Sequence, residues 1–206
     1  MTSTPASPAA LAADIEAALE HPGVGLGSVR IGPGVRAGVA DPIPAGARVA
    51  LLRDTVPYAD VDGGDVKAEV AALLRERAQV SEVVLEGDVH ADEETVAAAV
   101  EGCADADWVV TVGSGTLSDI GKVAAGERPH VIVQSAASVN GFADDQSVLL
   151  KSGVKRTVLS AWPRALYVDS EVLAGAPAKL NRSGLGDMVS MFTAPADWYL
   201  SSLVGL

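Results

Sequence analysis

The segment from Asp107 to Lys122 constrains this chain more than any other. It opens with an unbroken apolar run, Trp108-Val109-Val110-Thr111-Val112, passes through Gly113-Ser114-Gly115 and continues into a helix from about Thr116. A short apolar run stopped by glycine reads as a buried strand, and strand, glycine turn and helix in that order belong to an α/β layout. Neither Gly113 nor Gly115 carries a Cβ, so the backbone can approach a ligand closely there. The helix start adds unpaired N–H groups and the positive end of a dipole, both suited to an anion. Any α/β protein needs tight strand-to-helix turns, however, so this turn alone does not specify a ligand.

The alternation continues on both sides. Val66, Val70, Leu73 and Leu74 mark one face of a helix, Ser81 to Glu86 a strand, Thr95 to Val100 a helix, and His130 to Gln134 another strand. Upstream, Ser28 to Gly34 and Ala47 to Asp54 read as strands. Leu11, Ile15 and Leu19 recur at helical spacing before His21-Pro22-Gly23, and residues 1–10, which begin with the Ser/Thr/Pro/Ala-rich Met1 to Pro8, are expected to be a loose terminus. Unbroken Val/Ile/Leu strands separated by helices imply a parallel sheet covered on both faces, an α/β Rossmann-like fold.

Beyond Gly141 the pattern changes. Ser147 to Lys151 and Val154 to Leu159 flank Ser152-Gly153 as a β-hairpin, followed by a strand at Ala165 to Val168. From about Ser183 the chain is helical, with Met188, Met191, Phe192, Trp198 and Leu200 as apolar positions and Pro195 expected to kink or break it. Its end, from Trp198 to Leu206, is apolar around much of its circumference and calls for partners on more than one face.

Composition narrows the function classes. Of the 206 residues, 49% are hydrophobic and 20% charged, which places the chain among compact globular proteins. The net charge of −12 argues against a nucleic-acid partner, whose binding draws on clustered Lys and Arg. No apolar run is long enough for a membrane span and no basic-then-apolar leader is seen, so the expected location is the cytoplasm. Cys103 is the only cysteine, which excludes an intrachain disulfide and a thiolate metal cluster.

Four segments in order carry a more specific likeness: Gly113-Ser114-Gly115-Thr116 with Asp119 and Lys122, Gln134 to Phe142, the Lys151-to-Arg156 hairpin, and Gly184-Leu185-Gly186-Asp187-Met188. Together they resemble the iron-containing (group III) alcohol dehydrogenase and dehydroquinate synthase-like superfamily. Ser183 to Trp198 is most similar to its sn-glycerol-1-phosphate dehydrogenase branch. The resemblance implies an α/β dinucleotide-binding domain over residues 1–180. Residues 181–206 would be the first helix of an all-helical, metal-binding second domain that is largely missing.

The same resemblance assigns roles. Gly113, Ser114, Gly115 and Thr116 would hold the cofactor pyrophosphate with Asp119, whose other reading is a helix-capping carboxylate. Ser135 and Ser138 would face the nicotinamide side. Asp54, at a strand end, would accept hydrogen bonds from the adenosine ribose and repel a 2′-phosphate, favouring NAD over NADP, or would be a simple turn residue. Asn140 stands at a catalytic position where the family more usually carries Asp. An amide orients a substrate hydroxyl or carboxamide but accepts no proton. Lys151, Lys155 and Arg156 would bind a substrate phosphate or form a solvated hairpin tip.

Asp187 would be a carboxylate ligand to zinc or iron, polarising the alcohol oxygen, or else an ordinary charge near a helix start. The family completes that site with two later histidines. Here His21, His90 and His130 lie earlier, outside any matching motif, and read as surface or strand-edge residues, so the 206 residues are expected to lack a complete metal site. The implied activity is NAD(P)- and metal-dependent oxidation of a small alcohol or polyol phosphate. The alternatives are a truncated or split chain that binds a dinucleotide without catalysing alone, and a dehydroquinate synthase-like cyclase. A homo-oligomer or a C-terminal partner segment would cover the apolar end.

Overall fold

The computed structural model describes residues 7–205, so the first six positions of the expected loose terminus lie outside the described residues. Order begins sooner than composition suggests. α1 (Pro8–Leu19) starts at Pro8, because the Ser7 hydroxyl caps it by accepting the Ala10 N–H at 3.2 Å and proline suits the first helical position.

The centre is a six-stranded sheet, parallel at every pairing. It is built from β1 (Val29–Gly32), β2 (Arg48–Asp54), β3 (Gln79–Leu85), β4 (Trp108–Gly113), β5 (His130–Gln134) and β8 (Ala165–Asp169), in the order β1-β8-β5-β4-β2-β3. Side chains alternate across it. Val49, Leu51, Val110, Val112, Val131 and Val133 pack on one face with α2 (Val66–Arg75) and α5 (Ser170–Gly175). Ala50, Leu52 and Val109 pack on the other with α3 (Glu93–Gly102) and α4 (Gly115–Ala125). Both faces are thus covered, as the unbroken apolar strands require.

β6 (Gln146–Lys151) and β7 (Val154–Leu159) form the separate antiparallel hairpin, with Lys151 opposite Val154 across a two-residue turn. Ser152 and Gly153 both take positive φ there, at 51° and 76°. Leu149 anchors the hairpin in the α3/α4 core.

α6 differs from its sequence reading at both points. It starts at Ala178, immediately after Pro177, and runs without interruption through Pro195 to Leu203. The Met191 carbonyl loses its intrahelical donor at Pro195, but this stretch is exposed, so the carbonyl is open to solvent and the helix tolerates the loss. Only the first part of α6 docks. The Asn181 side chain accepts the Ala137 N–H at 3.0 Å and donates to the Leu173 carbonyl at 2.8 Å. Gly184 lies so close to the Ala137 carbonyl that a Cβ would stand 1.8 Å from its oxygen. Beyond it, Phe192, Trp198 and Val204 are more than two-thirds exposed. No helix among the described residues is long and apolar enough to cross a membrane.

Candidate functional site

The C-terminal ends of β2, β4 and β5 meet at the point where the strand order reverses, which is where open α/β sheets bind ligands. β2 and β4 pair up to Leu52 and Thr111, which places Asp54 and Gly113 side by side two residues further on. Gly113 pairs with Gln134 across β4 and β5, and the Ser135 N–H donates to the Gly113 carbonyl at 3.0 Å.

α4 starts in this gap with Ser114 as its N-cap residue and no side-chain cap, so the first-turn N–H groups of Thr116 and Leu117 have no side-chain partner. The Gly115 N–H meets the Ser138 hydroxyl at 3.4 Å. Ser135 Oγ is buried near the Tyr58 hydroxyl without a hydrogen bond of good geometry, which leaves it free to meet a polar ligand atom. The two glycines have a different physical basis from the one their sequence suggests. A Cβ on Gly113 would stand 2.3 Å from Leu117 Cβ, and one on Gly115 2.7 Å from Val139 Cγ2. The chain's own packing takes the clearance at both positions.

Asp54 ends β2 buried and engaged. Its Oδ1 is ion-paired with Lys67 Nζ and its Oδ2 accepts the Tyr58 hydroxyl at 3.0 Å. Burial, then the Asp54 charge, pushes the Tyr58 phenol up, while burial lowers the Lys67 ammonium against the opposing pull of Asp54. The sequence reading passed over Lys67, yet a signal was present. Lys67, Val70, Ala71 and Leu74 follow the i, i+3, i+4, i+7 spacing of the buried stripe of α2, so periodicity alone places this lysine inward.

Beside the switch point lies a cavity of about 540 Å³ between α4, the 139–144 loop, the hairpin and α6. Thr116, Asp119, Asn140, Lys155, His90 and Asp187 line it. Asp119 lies beyond the first turn of α4 and caps nothing, so the helix-capping reading does not hold; its carboxylate stands 3.8 Å from Lys122 Nζ instead. Burial pushes its carboxyl up to about 6, against the pull of Lys122. Lys122 is fully buried. It ties α4 to the loop by donating to the Gly141 carbonyl and Asp144 Oδ1, each at 2.7 Å, and to the Gln146 carbonyl.

Asp187 and Asn140 come together, although 47 residues separate them: the Asn140 N–H donates to Asp187 Oδ2 at 2.6 Å. Asp187 is ten positions into α6, too far in to act as a helix-start charge. The hairpin divides the three cations. Lys155, opposite Leu150, lines the cavity, whereas Lys151 and Arg156 alternate to the other face of the strands and line none of it.

Of the histidines, His130 departs from the surface or strand-edge expectation and His90 keeps it. His130 is fully buried, with Nε2 at 2.8 Å from Thr111 Oγ1, and burial pushes it down to about 3, so it stays neutral. His90 is largely exposed, 3.3 Å from Asp88, at the cavity edge. Among the described residues, no three His, Cys, Asp or Glu side chains converge as a metal would need.

The iron-containing alcohol dehydrogenase family model matches residues 43–177, from β2's approach to the end of α5. The chain belongs to the iron-containing alcohol dehydrogenase family. Similar curated proteins of the family include glycerol-1-phosphate dehydrogenase (NAD(P)+) of Bacillus licheniformis, 37% identical over 174 residues, which is 81% of this chain and 43% of that protein. The enzyme of the same name from Geobacillus stearothermophilus is 31% identical over 73% of this chain and 38% of its own length. Among solved structures, glycerol dehydrogenase from Schizosaccharomyces pombe shares the fold with a TM-score of 0.65 at 18% identity, covering 82% of this chain and 43% of that one. The chain thus spans less than half the length of each of these proteins.

Proposed function

We propose that this chain is the cofactor-binding half of an NAD(P)-dependent dehydrogenase that acts on a small polyol phosphate, as its glycerol-1-phosphate dehydrogenase relatives are named to do. The observation that carries the reading is the joining of two features at one sheet edge. An uncapped helix start with the unpartnered Ser135 hydroxyl opens beside a cavity that gathers Asn140, Asp187 and Lys155. In this reading residues 1–180 form the dinucleotide-binding part, and the helix from 181 onward begins the helical part.

A dinucleotide fits the residues present. The Thr116 and Leu117 N–H groups and the positive end of α4 suit its pyrophosphate, and Ser135 Oγ gains a partner it lacks. When bound, the nicotinamide supplies the hydride acceptor for alcohol oxidation. Asn140 then orients the substrate hydroxyl through its amide, Lys155 balances the substrate phosphate, and Asp119 supplies a cavity carboxyl poised near neutrality.

Among the described residues a divalent metal does not find a complete site. Asp187 is one donor where a catalytic ion needs about three from the protein. That observation favours the second reading, a chain that binds a dinucleotide but needs further ligands for turnover.

Calorimetric titration with NADH tests the proposal, and Gly115 sharpens it. Gly115→Val should weaken binding by about tenfold or more, since its branched side chain would displace the Val139 loop beside the helix start. Pairing it with Val139→Ala should restore part of the affinity. Undiminished binding by Gly115→Val would remove the β4–α4 turn from the site.

A further inference from the structure

The buried Asp54–Lys67 pair extends the dinucleotide reading, on which the following rests. A carboxylate at the end of such a strand discriminates against a 2′-phosphate through its charge and through hydrogen bonds to the ribose. In this chain the charge is opposed in place. Lys67 Nζ is ion-paired with Asp54 Oδ1, and each side chain is only 7% exposed. The same ammonium also donates to the Asp54 carbonyl at 2.7 Å and to the Val56 carbonyl, so its three donors are spent on one strand end. The Tyr58 ring covers it, 4.1 Å from ammonium to centroid, while the Tyr58 hydroxyl takes Asp54 Oδ2. All three Lys67 donors are thus held at this strand end, and the pair is a neutral unit.

The surroundings are balanced. A cavity of about 300 Å³ beside the pair is lined by Arg53, Lys67, Arg75, Asp65 and Glu82; with Lys67 offset by Asp54, its two arginines, both paired with Glu82, face two carboxylates. Stability alone does not call for a buried pair, since apolar residues of similar volume hold a core as well or better.

We propose that Lys67 is the residue that sets cofactor specificity: by neutralising Asp54 it lets the nucleotide site take dinucleotides with and without a 2′-phosphate alike. Lys67 acts through Asp54 and is a positioning residue. The NAD preference that Asp54 implies in isolation is thereby cancelled.

The test is calorimetric titration of the full chain with NADH and with NADPH, read as the ratio of the two dissociation constants. The unaltered chain should bind both within about threefold, less than one unit charge at close range would produce. Lys67→Gln uncovers the carboxylate charge and should weaken NADPH by about tenfold with little change for NADH. Asp54→Asn should move the ratio the other way, and the double variant should return it to its starting value. A role confined to folding would lower both affinities together and leave the ratio unmoved.

If Lys67→Gln does not fold, Asp54→Asn and the double variant decide by the same opposed shifts. A ratio that no variant moves, or an unaltered chain that already rejects NADPH tenfold, overturns the proposal while the dinucleotide reading stands. Failure of the unaltered chain to bind either cofactor overturns the dinucleotide reading itself.

Discussion

Strand β2 carries an ion pair at each end, and the two are built to opposite specifications. At its start Arg48 meets Asp107 with side chains 58% and 46% exposed. At its end Asp54 meets Lys67 with both at 7%. The first pair stays in water, where it costs and contributes little. The second removes two charges from water, which requires every donor to be matched, and here Lys67's donors are matched by one carboxylate oxygen and two carbonyls. The chain bears that desolvation cost at the edge where three strand ends converge on a switch point. Placement by edge, more than the count of ion pairs, separates a site from a surface.

The largest expected effect comes from breaking the buried pair. Lys67→Met leaves Asp54 buried without its cation and should lower the unfolding free energy by about 3–5 kcal/mol in urea titrations. Adding Asp54→Asn should recover part of that loss, because the uncompensated charge disappears. Equal losses for the single and double variants would show that Lys67 matters for its packing alone, and the contrast between the two strand ends would fail.

Asp119 offers a sharper probe at intermediate size. Its carboxyl, raised to about 6 by burial, holds a proton more tightly in the fold than in the unfolded chain. Its contribution to stability is therefore full below about pH 4 and is lost as pH rises through about 6. Unfolding free energies of the unaltered protein minus those of Asp119→Asn should fall across that window, isolating this group from the oppositely shifted Asp107, Asp92 and Glu82. A flat difference would place Asp119 in free contact with solvent. Dinucleotide affinity followed over the same range would show whether the cavity carboxyl also senses the ligand.

Much of this was legible in the sequence because burial leaves a periodic trace. β4 and β5 match their apolar runs residue for residue, and the hairpin follows from Ser152-Gly153 between two extended stretches. The meeting of Asn140 with Asp187 is visible only through the family likeness, since no local pattern reports a contact across 47 residues. What escaped notice was charge placed where periodicity expects a hydrophobe. Lys67 lies on a buried stripe, and reading lysine as a solvent residue hides it; Lys122 stood out as part of the α4 motif, but its burial did not. His130 escaped for the same reason, at the first position of a strand whose five residues are all buried. The strand-end pairing of Asp54 depends on the chain turning back through Tyr58 into α2, a tertiary event that strand and turn propensities do not encode.

The smallest expected effect belongs to the exposed pair. Arg48 reaches Asp107 through both its side chain and its backbone N–H, which donates to Asp107 Oδ2 at 3.0 Å. Arg48→Ala removes the guanidinium but keeps the backbone bond that ties β2 to the approach of β4. Asp107, held near pH 2 chiefly by the Arg48 side chain, should move back toward the ordinary carboxylate range, so acid unfolding should start at a slightly higher pH. At neutral pH the melting midpoint should fall by no more than about 2 °C, and less in molar salt, because exposed charges are screened. A loss comparable to that of Lys67→Met, or one indifferent to salt, would mean that exposure does not govern the worth of these pairs, and the difference between the two ends of β2 would need another cause.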